Sequence, residues 1–570
     1  MKLFVTLILI FSLFEYTRAN GASFFTTPFY VTEGNIFQGR NFFSREICEN
    51  TIPYLDEVKA TFEPGSYHLG EPGVIEDDIF ETNRDCHFRK LRRDNNEPNG
   101  FKVIFDFPLS DWTGRVCGDR SVDPFGLDGL LYQETWSRST ISCLPPLEGG
   151  LDFDRCVLCD TGLNTDGCMV FDPRHEGPDA PPLLGIYNPS NNTETIITGS
   201  PVCQILQGVR SCVVPESGRA EWSALLNGQP STFDGGLSMF NMDTFEQIWS
   251  FRTSPTGNDL YSGVSVVATP TFLPLRNVVL FATQNGVRIP QEIIDCINAG
   301  NTDCTEIDDP EYIPDSYGAL RATDGTLLWK RENPGPKGYD VWDISCAFGP
   351  CANHTGDDGG LLDSIDVISA LDPVSGKFVD AVVASFKRGE VEVAALDDGR
   401  QLAFHKTGPG SSAGGGHAFG SAYSFIKKWG IFNNYNAGGQ NWTGVDGTVF
   451  AGPFLTVISY ITHEIVMQVE ADGCFQGPTL LNHRYVMCHN RNIIGAPTVT
   501  IYDLFDNMNI VKTIDVGCTS GNPVISVNDE VIISCGYAFS PFNQNNNLTV
   551  VGLSSSMPSN IKCPRFPRFD

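Results

Sequence analysis

Few residues able to do covalent or metal chemistry stand in this chain at the spacings such chemistry uses. Cys156-Val157-Leu158-Cys159 has the spacing of a redox or zinc pair. No second pair follows at a zinc-site distance, so a structural disulfide is the expected use of these thiols. His405, His417 and His463 are scattered and form no helical metal motif. The stretch from Gly408 to Gly416 is glycine-rich but lacks the Lys-Ser/Thr that grips a phosphate, and reads as a loop. Two segments remain: Phe281-Ala282-Thr283-Gln284-Asn285 ends an apolar run on an amide, and Tyr339-Asp340-Val341-Trp342-Asp343 sets acids around aromatics. An ionised acid within reach of a hydroxyl accepts its proton, and amide and carboxylate oxygens are hard cation ligands. The plainer use of such residues is to cap a turn or end a strand.

The elements around these segments repeat. An apolar strand, a turn with Asp, Asn or Gly and a second strand recur at Leu237–Trp249, Gly318–Trp329 and Val391–Phe404. Weaker copies run Thr456–Met467 and Val499–Ile510, and a last half-unit is Leu548–Leu553. Asp324-Gly325 and Asp398-Gly399 are expected turns, since glycine reaches positive φ without strain. The last copies are spaced by roughly 45–50 residues, the length of a four-stranded propeller blade. An all-β propeller of about eight blades is therefore expected, with Trp249 and Trp329 between sheets. Longer early intervals need insertions, stapled by Cys296–Cys304 and Cys346–Cys351 bridges across short loops. An immunoglobulin-like sandwich would need Cys…Trp…Cys cores, which are missing.

Residues 20–230 differ from the repeats of 231–570. They hold nine of the 18 cysteines and the Pro/Gly-rich run Leu144–Gly150. Lys102–Phe107 and Gly129–Glu134 read as strands. This half is either a set of diverged first blades or a separate disulfide-rich module; a complete ring needs the former. The basic run Arg89-Lys90-Leu91-Arg92-Arg93 is expected to be a solvated loop rather than a processing site.

Residues 1–19 combine a basic start, a short apolar run Leu3–Phe14 and a small residue at Ala19, the pattern of a cleaved secretory signal. No later stretch is apolar and long enough to span a bilayer. An even cysteine count and the acceptors Asn191, Asn353, Asn441 and Asn547 agree with export, so a secreted, extracellular, disulfide-bonded glycoprotein is expected. Sixty-eight acids against 38 bases give a net charge of −30, which argues against nucleic acid as partner and leaves calcium or mineral surfaces open.

From about residue 235 to 553 the chain resembles the polyvinyl-alcohol-dehydrogenase-like branch of quinoprotein propellers. The resemblance rests on Tyr261-Ser-Gly-Val, Ile289–Cys296, Gly338–Asp343, Gly408–Gly416, Gly521-Asn-Pro-Val and Ser534–Phe539, in the family's order. It implies pyrroloquinoline quinone and calcium as cofactors in a central funnel. It further implies Asp343 as the base that takes the alcohol proton and as a metal ligand, with Asn285 as a calcium ligand. The segment Trp222–Gln229 departs from the pattern by lacking a carboxylate, and Val264–Ala268 lacks the tryptophan that floors the cofactor. The implied partner is a small-molecule alcohol; if the site has been lost, an extracellular matrix component takes its place.

Overall fold

In the computed structural model, the described residues are 52–63, 73–75, 78–82, 87–108, 142–144, 146–147, 154–159, 168–176, 185–187, 196–197, 201–217, 236–253, 261–262, 269–283, 286–288, 312–313, 316–332, 365–386, 389–409, 421–424, 426–434, 441–471, 477–481, 484–489, 498–516, 523–525, 530–534 and 548–554. Their regular structure is all β apart from two short 3-10 turns. Eight antiparallel sheets, each a four-stranded meander at heart, follow one another along the chain as the blades of a propeller.

Blade 1 is Gly73–Ile75, Asp78–Thr82, His87–Arg93 and Phe101–Pro108; blade 2 is Ser142–Leu144, Arg155–Cys159, Cys168–Phe171 and Gly185–Tyr187. Blade 3 runs Val202–Leu206, Val209–Ser217, Gly236–Asn241 and Gln247–Arg252, with Ile196–Ile197 added on Val209–Ser217. Blade 4 is Thr271–Leu273, Val278–Thr283, Ser316–Arg321 and Leu327–Glu332, and blade 5 is Asp366–Leu371, Phe378–Phe386, Glu390–Ala395 and Gln401–Lys406. Blade 6 is Ser421–Ser424, Trp429–Asn434, Phe454–Ser459 and Glu464–Glu470; blade 7 is Thr479–Leu481, Tyr485–His489, Thr498–Asp503 and Asn509–Asp515. Blade 8 takes Pro523–Ile525, Val531–Ser534 and Leu548–Leu553 from the far end of the chain and Leu55–Phe62 from the near end. The half-unit Leu548–Leu553 thus finds its missing strand at the start of the chain.

First strands of neighbouring blades touch, as Ser142–Leu144 does Val202–Leu206 and Ser421–Ser424 does Thr479–Leu481, which puts them around the axis. Middle strands are sandwiched between two sheets: every residue of Val278–Thr283 and Glu390–Ala395 is buried, the two glutamates of the latter included. Fourth strands meet solvent on one side and alternate, as in Leu327–Glu332. The recurring sequence unit is therefore the third strand, its turn and the fourth strand of each blade.

Trp249 and Trp329 lie between sheets, 7% and 9% exposed. Each donates its indole N–H into the next blade, to the Ala322 carbonyl at 2.7 Å and the Leu396 carbonyl at 2.8 Å. Gly325 and Gly399 hold the expected left-handed turns, with φ of +70° and +69°.

Arg89–Arg93 is not a solvated loop. It is the third strand of blade 1, and its basic side chains are matched by acids: Arg89 by Glu81 and Asp106, Lys90 by Asp78, Arg92 by Asp78 and Glu176, Arg93 by Glu530. Counting charges along the chain missed these partners because they come from other strands and other blades. In blade 2 Cys156 bonds Cys143, directly opposite in register, rather than Cys159, and in blade 3 Cys203 bonds Cys212. The Cys296–Cys304 and Cys346–Cys351 pairs, Gly129–Glu134 and residues 1–19 lie outside the described residues.

Candidate functional site

Five of the eight first strands open on polar residues at one mouth of the ring. Ser142, Thr271, Asp366, Ser421 and Thr479 each begin one. They tie neighbouring blades together where no backbone ladder does: the Thr271 hydroxyl donates to the Ile365 carbonyl at 2.6 Å, and the Cys203 N–H to Ser142 Oγ at 2.9 Å. Ser421 Oγ donates to Asp366 Oδ2, and both residues are buried. Asp366 is the one carboxylate among these leading residues. Its signal in the sequence is an acid opening an otherwise apolar strand, Asp366-Val-Ile-Ser-Ala-Leu371.

The same mouth receives the ends of the segments that carry the residues singled out from the sequence. In blade 4, Thr283, Ser316 and Glu332 stand in register at this end, and the Thr283 and Ser316 hydroxyls share a 2.8 Å hydrogen bond. Asn285 falls just past Thr283, and Asp343 falls between Glu332 and Ile365. Both are outside the described residues, as are Trp222–Gln229 and Val264–Ala268. What the structure fixes is their anchors, which lie at the same end of the blades as Asp366.

Other charged clusters sit between blades and read as structural. Arg331 donates from Nε to Glu392 Oε1 at 2.9 Å and from Nη1 to the Gly399 carbonyl at 3.1 Å. The Glu392 side chain is wholly buried. Burial first, and the Glu392 carboxylate second, push the Tyr317 hydroxyl far above its usual range. On the fourth strand of blade 5, burial first, and then the charge of His463, lowers His405 to about 4.

No family model matches the sequence, and no curated protein matches it. The quinohemoprotein alcohol dehydrogenase of Comamonas testosteroni superposes with a TM-score of 0.60 at 12% identity, over 94% of this chain and 82% of that one. A europium-containing methanol dehydrogenase gives 0.58 at 12% identity, over 93% and 99% of the two chains. A quinohemoprotein alcohol dehydrogenase of Pseudomonas putida gives 0.59 at 10%, over 94% and 82%. The fold is that of the quinoprotein alcohol dehydrogenases.

The collar's donors are all oxygen, from a carboxylate and hydroxyls, which suits a hard cation of the calcium or lanthanide class. Among the described residues no set of three His, Cys, Asp or Glu gathers there, so Asp366 alone supplies charge. No aromatic residue leads a described first strand, so the described collar offers no stacking floor for a planar quinone. Among the described residues the collar thus offers oxygen donors and no aromatic face. Among the described residues no helix is long and apolar enough to cross a membrane. Asn441, the one glycosylation acceptor within them, is exposed ahead of the short hairpin Trp442–Thr443 and Val449–Phe450.

Proposed function

We propose that the chain is a secreted oxidoreductase acting on the alcohol group of a small molecule. The observation that supports it most is that the buried Asp366 lies at the same mouth of the ring as the strand ends that lead to Asn285 and Asp343. In this reading the leader is cut after Ala19, and the glycans are carried by Asn441 and the other acceptors. Pyrroloquinoline quinone with calcium would supply the hydride acceptor and its polarisation. The chain's own part is narrower: Asp343 accepts the alcohol proton, and Asn285, Asp343 and Asp366 offer oxygen ligands to the ion.

The test is reconstitution of purified chain with quinone and calcium, together and singly, followed by calorimetry and dye-linked oxidation of a panel of alcohols. Joint uptake and turnover that Asp343→Asn abolishes support the reading. Neither uptake nor turnover sinks it.

A second reading is a non-catalytic binder of an extracellular matrix component that kept the ring. It is favoured by one specific contact: the Asp366 carboxylate is already engaged by Ser421 and only 5% exposed. Retention of the chain by a basic or calcium-loaded matrix, without turnover, is its expected outcome, in keeping with the charge of −30.

A further inference from the structure

Blade 6 carries a hairpin of its own between its second and third strands, Trp442–Thr443 with Val449–Phe450. The strand ends that flank it, Asn434 and Phe454, stand in register with each other and with Glu470. In blade 4 the same three positions are Thr283, Ser316 and Glu332, so the hairpin rises on the mouth side of the ring.

The two faces of this hairpin differ. Residues paired across an antiparallel ladder share a face, and neighbours along a strand alternate. Trp442 pairs with Phe450, which is 4% exposed and stacks on Phe454 with ring centroids 4.7 Å apart. That face is fixed to the blade. Gln468 of the fourth strand adds a polar clamp: its Oε1 accepts the Val445 N–H at 3.2 Å, and its Nε2 donates to the Thr407 carbonyl at 2.7 Å. The turn is closed by the Gly444 N–H on the Thr448 carbonyl at 2.7 Å. On the other face Thr443 pairs with Val449, and both are exposed. Asn441, two residues before Thr443, is exposed as well. Val449 is 59% exposed, and Val445 in the turn 58%.

Asn441-Trp442-Thr443 is an acceptor triplet for an N-linked glycan, so the acceptor, its threonine and a bare valine share one face. We propose that Asn441 carries a glycan whose first sugars lie on this face and cover Val449 and Val445. The inference rests on the export half of the reading above and not on its redox chemistry. In the transfer, Asn441 Nδ2 bonds to the anomeric carbon of an oligosaccharide carried on a lipid pyrophosphate. The bond from that carbon to the pyrophosphate breaks, and the amide gives up one proton. A pyranose ring turns C–H groups to the valines and hydroxyls to water, which removes apolar area from solvent without a protein partner. A two-stranded sheet also leaves its outer edges open to another chain, and a bulky sugar beside one of them blocks that pairing.

The experiment secretes the full-length chain from a glycosylating host. Glycopeptides are mapped after enzymatic release in heavy-oxygen water, which labels each asparagine that carried a sugar. Asn441 should be occupied. Release of the whole glycan from the folded protein, and separately Asn441→Gln, should each raise binding of an apolar dye and shift sedimentation toward larger species. Adding Val445→Thr and Val449→Thr to Asn441→Gln should reverse both changes, since threonine keeps the β-branched shape with less apolar surface. If Asn441→Gln is not exported, the released wild-type protein decides alone. Asn441 unoccupied while another acceptor is occupied overturns the proposal and leaves export standing. A chain that is neither exported nor glycosylated sinks that part of the reading and the proposal with it. Release of the glycan with no change in dye binding or sedimentation overturns the covering role.

Discussion

The indole of Trp329 lies so close over Gly399 that a Cβ there would stand 2.7 Å from the ring. The glycine is needed twice, for its φ of +69° and for the room its missing side chain leaves. Gly399→Ala should cost about 2–4 kcal/mol, the sum of left-handed strain and overpacking. Gly208, at φ +82° with nothing within 4 Å, separates the two effects. Its alanine variant should lose only about 1 kcal/mol in urea unfolding.

Arg331 and Glu392 join blades 4 and 5, with the glutamate side chain at 0% exposure. Arg331→Met strands a buried carboxylate and should destabilise by about 3–5 kcal/mol, whereas Arg331→Met with Glu392→Leu should recover most of that. A double-mutant cycle by chemical unfolding checks it; equal losses in the single and double variants would refute the coupling.

Acid should loosen the fourth strand of blade 5. The folded state holds His405 near 4, below its ordinary value of 6.5, so between those values the unfolded chain binds more protons. This contribution to stability is intact above about pH 6.5 and is lost as pH falls toward 4. The loss should be roughly 2 kcal/mol after allowing for partial solvent access. Thermal unfolding across this range should show a slope that His405→Phe flattens.

The bridges Cys143–Cys156 and Cys203–Cys212 each pin the two innermost strands of a blade, with sequence separations of 13 and 9. Each should contribute about 2–3 kcal/mol, so Cys143→Ser/Cys156→Ser should lower the melting temperature without opening the ring. Peptide mapping without reduction should recover these pairings and no Cys156–Cys159 bridge.

The ring was legible from residue 237 onward because third strand, turn and fourth strand are contiguous, and Trp249, Gly325, Trp329 and Gly399 mark them. Blade 1 was harder to read because Arg89–Arg93 buries charge, and a strand made of paired bases looks like a loop when its acids are not in view. The collar was less legible still. Asp366 and Ser421 meet only because two first strands begin side by side, and no local pattern announces that.

Leu55–Phe62 is hydrogen-bonded to Leu548–Leu553, so the two ends of the chain are stitched into one sheet. During synthesis this strand emerges first and waits, its edge unpaired, until nearly everything else has been made. A product that stops short of Leu548 therefore carries a permanently open seam, with Ala60 lacking the cover that Ile532 and Val550 give it. Closure of the ring then becomes an all-or-nothing event, decided for the whole chain by whether its first strand has been claimed by its last.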